Sequence, residues 1–211
     1  MDQRLLELAQ KTPGFMPERE GLALHAAARE AAQLGPLLEV GSYCGLSALY
    51  LGAAAREAGS ILFTVDHHRG SEEHQPGQEY FDPALTDPDG RVDTLPALRR
   101  TLAAAGLEEH VVCIIGRSDA VAAYWATPLA LVFIDGGHSP AAATADYEGW
   151  TPHVMANGIL AIHDVFPDPA DGGRPPYLVY ERALRESFDE LAAEGSLRIL
   201  RRRAPGRFPR R

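Results

Sequence analysis

Cysteine is scarce in this sequence, since Cys44 and Cys113 are the only two among 211 residues. Two thiols so far apart provide neither a disulfide framework nor a zinc-binding cluster. The sequence also lacks an apolar run approaching the ~18–20 residues that span a bilayer. Its N-terminus lacks the basic start and apolar stretch of a secretory signal peptide. We therefore expect a soluble, cytoplasmic protein with no membrane partner.

Positive charge is in the minority, with 20 Lys and Arg against 29 Asp and Glu and a formal net charge of −9. An acidic surface repels a phosphate backbone, so we do not expect a nucleic-acid partner. The exception is the C-terminal run, in which arginines 201–203 are followed by Arg207, Arg210 and Arg211. These could contact an anionic partner, but a frayed and solvated chain end is the simpler interpretation.

Short apolar segments alternate along the chain with amphipathic ones. The pattern predicts strands over 37–40, 61–65, 111–115, 129–134, 158–162 and 197–201, and helices over 4–11, 18–33, 46–58, 94–105, 119–125, 141–150 and 177–193. Continuous apolar strands separated by helices are typical of a parallel sheet covered on both faces. The predicted fold class is therefore α/β, a doubly wound and mostly parallel sheet with extra N-terminal helices. Whether a reversed final strand is present stays open.

A glycine turn links the first predicted strand to the helix that follows it. Gly41 and Gly45 allow the backbone to pass close to a ligand, and the helix N-terminus favours an anionic group. The middle glycine of a dinucleotide-binding turn is replaced here by Tyr43. Asp66 ends the second strand about twenty-five residues further on, near where an acid that binds ribose is expected. The missing glycine counts against a nicotinamide-dependent oxidoreductase, which remains the alternative from a different enzyme class.

Polar side chains also follow four of the predicted strands. They are the Glu39–Gly41 turn, Asp66 with His67 and His68, Asp135 with His138, and His163 with Asp164. Right-handed crossovers place the carboxyl ends of parallel strands at one edge of the sheet, where ligands bind. Any one of these acids alone could be a cap or turn residue. Together they predict a polar site at this edge.

With these motifs, residues 36–165 resemble the class I S-adenosylmethionine-dependent methyltransferases. The resemblance implies that the turn after the first strand holds the methionine and ribose end of the cofactor. It also implies that Asp66 binds the ribose hydroxyls and that residues 116–119 lie beside the adenine. The cofactor-binding residues predicted in this way are Glu39, Gly41, Ser42, Tyr43, Gly45, Ser47, Asp66, His67, Ser118, Asp119 and Asp135.

Two segments, residues 131–138 and 158–164, are similar to a narrower group. It comprises small bacterial metal-dependent sugar O-methyltransferases and cephalosporin-hydroxylase-like proteins. The resemblance implies a Mg²⁺ site at Asp135 and at the pair His163 and Asp164, with His138 as the general base. His163 stands where an acid is usual, and imidazole is a poor ligand for Mg²⁺. Either His163 is not a ligand, or the site takes a softer metal such as Mn²⁺.

The predicted activity is methyl transfer from S-adenosylmethionine to a hydroxyl of a small polyhydroxylated acceptor, a sugar or glycoside. A divalent cation lowers the pKa of such a hydroxyl, and a nearby imidazole can take its proton. A phenol or catechol needs less activation, so the same site could serve one. A protein that binds the cofactor without catalysis is a further alternative.

We expect residues 1–211 to form a single domain. It would comprise N-terminal helices over 1–35, a cofactor-binding core over 36–165, and a C-terminal helix, strand and basic tail over 166–211. The N-terminal helices are candidates for the interface of a homodimer. The irregular loops at 67–93 and 166–177 would contact the acceptor, but their sequences carry no readable specificity.

Overall fold

The computed structural model describes residues 1–204, and within this range seven strands form one sheet in the order β3-β2-β1-β4-β5-β7-β6. The strands are β1 (Leu37–Val40), β2 (Leu62–Asp66), β3 (Val111–Ile115), β4 (Leu129–Ile134), β5 (Val154–Ile162), β6 (Phe188–Glu194) and β7 (Leu197–Arg202). The helices are α1 (Gln3–Ala9), α2 (Glu18–Ala31), α3 (Leu46–Ala58), α4 (Leu95–Ala105), α5 (Ser118–Ala122), α6 (Pro140–Trp150) and α7 (Pro175–Glu186).

The first five strands are parallel, and helices cover both faces of the sheet. In β1, Leu38 pairs with Phe63 of β2 on one side and with Val132 of β4 on the other. Every residue of β1 and β4 is buried, which explains the unbroken apolar sequence of β4 and the apolar sequence of β1 around its single buried acid, Glu39. One core packs beneath α1 to α4, and a second beneath α5 to α7. The predicted doubly wound, mostly parallel fold is confirmed.

The C-terminal segment differs from the prediction. The helix predicted over 177–193 ends at Glu186, and the residues after Ser187 form the edge strand β6. β6 and β7 are joined at Gly195 as an antiparallel hairpin, and β7 also runs antiparallel to β5. The segment over 188–194 has helix-forming residues, but hydrogen bonding to β7 outweighs that weak local preference. The reversed strands are therefore present.

The arginines at 201–203 were interpreted as part of a frayed end, and this is wrong. Arg201 pairs with Glu30 at 2.6 Å, and Arg203 pairs with Asp189 at 2.7 Å. Arg202 belongs to β7 and donates to the backbone carbonyl of Thr151 at 2.8 Å. The remaining tail arginines, at 207, 210 and 211, lie outside the described residues.

The N-terminal helices pack against the molecule's own sheet and α3. Asp2 caps α1 by accepting a hydrogen bond from the Leu5 amide at 2.9 Å. On α2, Leu24, Ala28 and Ala31 are buried in the core. Because these apolar faces are already covered, a homodimer through the two helices stays a prediction. None of the helices in residues 1–204 is long and apolar enough to cross a membrane.

Candidate active site at the carboxyl edge of the sheet

A cleft of about 1140 Å³ runs along the carboxyl ends of the parallel strands. The long loop over 67–93, the segment before α2 and the loop before α7 form its outer walls. The predicted site residues that line it are Gly41, Ser42, Tyr43, Ser47, Asp66, His67, Ser118, Asp119, Asp135, His138 and Asp164. The predicted residues that do not line it are Glu39, Gly45 and His163. The fold therefore brings most of the predicted set to one cavity.

The turn after β1 requires glycine at two positions, Gly41 and Gly45, for different structural reasons. Gly41 has φ +86°, and an added Cβ would lie 2.2 Å from the backbone oxygen of Asp135. Gly45 has φ +92°, and a Cβ there would lie 2.8 Å from the Leu98 side chain on α4. Gly41 thus allows the turn to approach the end of β4, whereas Gly45 packs away from the cleft against α4.

Asp66 holds the glycine turn from the neighbouring strand. Its Oδ2 accepts hydrogen bonds from the amides of Ser42 and Tyr43, both at 3.0 Å. Its Oδ1 accepts from the His68 amide at 2.7 Å. His67, which follows it, lines the cleft and accepts a hydrogen bond from the Arg69 amide at 3.0 Å. Asp66 therefore orders the turn, and its contact with ribose remains a prediction.

Glu39 lies beneath the turn, entirely buried. Thr64 Oγ1 donates to its Oε2 at 2.6 Å, while within the described part of the chain Oε1 has no hydrogen-bond partner. Burial raises the pKa of Glu39 to about 8, and the nearby charges of Asp135 and Asp66 add to the shift. An unsatisfied carboxyl oxygen at this depth is costly, so it marks a place where a polar ligand group would be stabilised.

The far end of the cleft contains Ser118, Asp119 and a buried acid that the sequence did not reveal. Trp150 Nε1 donates to Ser118 Oγ at 2.7 Å, which fixes that hydroxyl. Asp119 is ion-paired with Arg117 at 2.6 Å. Asp146 on α6 also lines the cleft, and burial raises its pKa to about 6. Its position on a helix, rather than at a strand end, kept it out of the predicted set.

Asp135, His138 and Asp164 form a compact group, with one potential ligand atom from each residue within 4.8 Å of the others. His138 Nε2 lies 3.0 Å from Asp164 Oδ2, and its Nδ1 lies 3.3 Å from Glu73 Oε1. The hydrogen bond to Asp164 raises the pKa of His138. Burial opposes the charge on Asp164, but His138 and His163 outweigh it and hold the pKa of that carboxyl below its usual range. Carboxylate oxygens with an imidazole suit a divalent cation.

His163 is buried next to the cleft without lining it, and it contacts the carboxylates of Asp135 and Asp164. It is 3% exposed, and its Nε2 lies 2.8 Å from Glu20 Oε2. Its Nδ1 lies 3.2 Å from Asp135 Oδ1 and 3.3 Å from Asp164 Oδ2. Neither oxygen is aligned for a hydrogen bond, so among residues 1–204 this nitrogen has no hydrogen-bond partner. Burial disfavours the imidazolium, but the surrounding carboxylates, Asp135 foremost, raise the pKa of His163 to about 12.

An aromatic wall of the cleft is formed by Phe15, Tyr43, His74 and Tyr80. The rings of Phe15 and Tyr80 meet edge to face at 5.1 Å, and those of Tyr43 and His74 lie 5.2 Å apart. His74 and Tyr80 belong to the loop over 67–93 that the sequence predicts to contact the acceptor, whereas Phe15 lies outside the predicted site segments. Phe15 and Tyr80 are largely exposed to the cleft, so an acceptor could stack against them.

Glu20 and Glu73 were also missed by sequence reasoning. Glu73 lies in a 3₁₀ turn of the long loop, Glu72–His74, which is too short for periodicity to reveal the direction of its side chain. Glu20 did carry a signal, because it shares the helical spacing of the buried residues Leu24, Ala28 and Ala31. An acid within an apolar helix face indicates a buried polar partner.

Comparison with known proteins identifies the family to which this chain belongs. Residues 38–165 match the family model described as a methyltransferase domain. Among solved structures, the O-methyltransferase TomG of Streptomyces achromogenes, in complex with S-adenosylmethionine, is similar with a TM-score of 0.65 and 17% identity, over 97% of this chain and 91% of that one. An O-methyltransferase of Bacillus cereus in complex with S-adenosylhomocysteine has a TM-score of 0.65 and 17% identity, over 96% and 92% of the two chains.

The methyltransferase PaMTH1 of Podospora anserina, bound to S-adenosylhomocysteine, is similar with a TM-score of 0.64 and 15% identity, over 97% and 89% of the chains. These likenesses concern the fold, whereas the family model covers more than half of the sequence. The chain therefore belongs to the methyltransferase domain family, as a class I S-adenosylmethionine-dependent methyltransferase.

Proposed function

We propose that this protein transfers a methyl group from S-adenosylmethionine to a hydroxyl oxygen of a small polyhydroxylated acceptor, a sugar or glycoside. The proposal depends on one observation above all. Asp135, His138 and Asp164 lie close together in the cleft at the carboxyl edge of the sheet, which the proposed cofactor turn also lines. An imidazole with two carboxylates has the chemistry needed to activate a weakly acidic alcohol.

In this proposal the bound groups supply two things: S-adenosylmethionine provides a methyl group on a sulfonium, and a divalent cation lowers the pKa of the acceptor hydroxyl. Asp135 and Asp164 would hold the cation, with Mg²⁺ or Mn²⁺ as the candidates. His138 would take the hydroxyl proton on Nε2, which is free of Asp164 when that carboxylate holds the cation, while Glu73 would orient the ring through Nδ1. The glycine turn, Asp66 and the buried Glu39 would position the cofactor. Methyl transfer needs no covalent enzyme intermediate, so alignment of the two reactants supplies much of the rate.

A phenol or catechol is a second candidate acceptor, and the aromatic wall favours it. A planar ring could stack against Phe15 and Tyr80 while its hydroxyl faces His138.

The negative charge of the cleft favours both of these uncharged acceptors over anionic ones. Glu72, Glu73 and Glu79 line it together with Asp135 and Asp164, so a phosphorylated acceptor would be repelled.

The test combines binding and turnover. Isothermal titration should show binding of S-adenosylhomocysteine and none of NAD. Incubation with labelled S-adenosylmethionine and panels of sugars, glycosides and catechols should then label at least one acceptor, with the label on oxygen. Transfer to nitrogen or carbon acceptors alone would contradict the proposal. We also propose that the chain forms a single domain, that the protein is a homodimer, and that the remaining predicted residues contact the cofactor.

A further inference from the structure

We propose that His163 is a metal ligand through Nδ1, beside Asp135 and Asp164. Glu20 does not touch the metal in this site, but orients the His163 ring by accepting a hydrogen bond from Nε2. This inference rests on the proposed metal-assisted function and adds to it a residue from α2. It also assigns His163 a definite role. His138 is then left as the base rather than as a ligand.

The first support is the way in which the two nitrogens of His163 are used. Glu20 Oε2 lies 2.8 Å from Nε2, so the carboxylate accepts the proton on that nitrogen. Nδ1 is buried, points toward Asp135 and Asp164 at 3.2 and 3.3 Å, and has no aligned partner within residues 1–204. Histidines that bind metals usually donate their other ring N–H to a carboxylate, which fixes the tautomer and the ring orientation.

The second support is that Glu20 sits in a position shaped for a carboxylate. Its Oε1 accepts a hydrogen bond from the Ser196 amide, and its Oε2 accepts one from the Ser196 hydroxyl, both at 3.1 Å. An added Cβ at Gly195 would lie 2.0 Å from Oε1, so the glycine allows the turn to close around the acid. Glu20 is only 3% exposed, and its charge is held by contacts from His163, directly after β5, and from Ser196 in the β6–β7 turn.

The chemistry of this donor set favours a cation softer than Mg²⁺. Mg²⁺ prefers oxygen ligands, whereas Mn²⁺ accepts imidazole with carboxylates. Ligation requires the neutral imidazole, and a cation among the same carboxylates would replace the charge of the imidazolium. We therefore expect the wild-type protein to bind Mn²⁺ more tightly than Mg²⁺.

Glu20→Gln is the sharpest variant, because an amide has only one acceptor oxygen. The Ser196 amide can only donate, so it takes that oxygen and leaves the NH₂ group facing His163 Nε2. The ring proton then moves to Nδ1 and blocks the ligand position. Ser196→Ala is the matched control. It removes the hydroxyl that donates to Glu20 Oε2 and leaves the contact between Glu20 and His163 intact.

The experiment measures Mn²⁺ affinity from the free-ion electron paramagnetic resonance signal, with S-adenosylhomocysteine affinity measured in parallel. Glu20→Gln should weaken Mn²⁺ binding by ~10–100-fold, while Ser196→Ala stays close to wild type and all variants retain the cofactor product. Unchanged Mn²⁺ affinity in Glu20→Gln would overturn the role of Glu20 and leave the proposed function standing. A wild-type protein that binds the cofactor product and no divalent cation would overturn both.

Pulsed resonance supplies a second measurement that does not depend on how well Glu20→Gln folds. Mn²⁺ bound to the wild type should show coupling to a histidine nitrogen. The coupling should persist in His138→Gln and disappear in His163→Asn. Its absence from the wild type, or its loss in His138→Gln alone, would refute ligation by His163.

Discussion

The two sides of the cleft are built in different ways. The side proposed to bind the cofactor, called the cofactor side below, consists of one short turn, residues 41–45, held by Asp66 at the end of the adjacent strand. The side proposed to bind the metal, called the metal side below, draws single side chains from distant segments. These are Glu20 on α2, Glu73 in the long loop, Asp135 with His138 after β4, and His163 with Asp164 after β5. A site made of one turn can be recognised from local sequence, whereas a site made of scattered side chains depends on the complete fold.

If the two sides act independently, changes on the metal side should stop turnover and spare the fold. The largest effect is expected for Asp135→Ala, since this residue faces both the cation position and His163. Metal-stimulated methyl transfer should be abolished while the unfolding transition remains cooperative. Initial rates with and without EDTA measure this. Full wild-type activity in EDTA would show that the reaction needs no metal.

The next largest effect is expected for His138→Ala. Loss of a general base lowers turnover by ~10²–10⁴-fold. Because His138 contacts Asp164 and Glu73 rather than the glycine turn, the affinity for S-adenosylhomocysteine should be unchanged. Single-turnover rates and titration calorimetry together check both statements. A twofold decrease in rate would remove His138 from the role of base.

On the cofactor side, Asp66→Asn should have the reverse pattern. The variant loses a charged acceptor of the Ser42 and Tyr43 amides, and such hydrogen bonds contribute about 1.5–3 kcal/mol. We expect S-adenosylhomocysteine affinity to fall by ~10–100-fold while Mn²⁺ affinity stays unchanged. A loss of Mn²⁺ binding of the same size would show that the two sides are coupled.

The smallest effect concerns stability and pH. The pKa of Glu39 is about 8 in the folded protein against an ordinary value of 4.5, so between these values the folded state binds more protons than the unfolded state. Stability of the cofactor-free protein should therefore fall as the pH rises through this window. Glu39→Gln has no titrating carboxyl and should show a shallower decline in urea unfolding. Equal slopes in the two proteins would mean that Glu39 is ionised when folded.

The parallel core could be predicted because local sequence and tertiary packing agree there. The apolar runs of β1 and β4, interrupted only by Glu39 in β1, are buried on both faces, and polar residues follow directly at their ends. The hairpin could not be predicted in the same way. The segment over 188–194 has a helical composition, and only pairing with β7 makes it a strand. That same hairpin places the Ser196 amide beside Glu20, so the error in secondary structure also hid the surroundings of this acid.

By itself, the sequence determined the parallel core of the sheet through its alternation of apolar strands and helices. It also determined the turn after β1 through Gly41, Gly45 and Asp66. Only the tertiary structure decided which nitrogen of His163 faces the carboxylates, and that Glu20 lies behind it. The reason is physical. Backbone turns are set by neighbours in the chain, but the direction of a buried polar side chain is set by partners that folding brings from more than a hundred residues away.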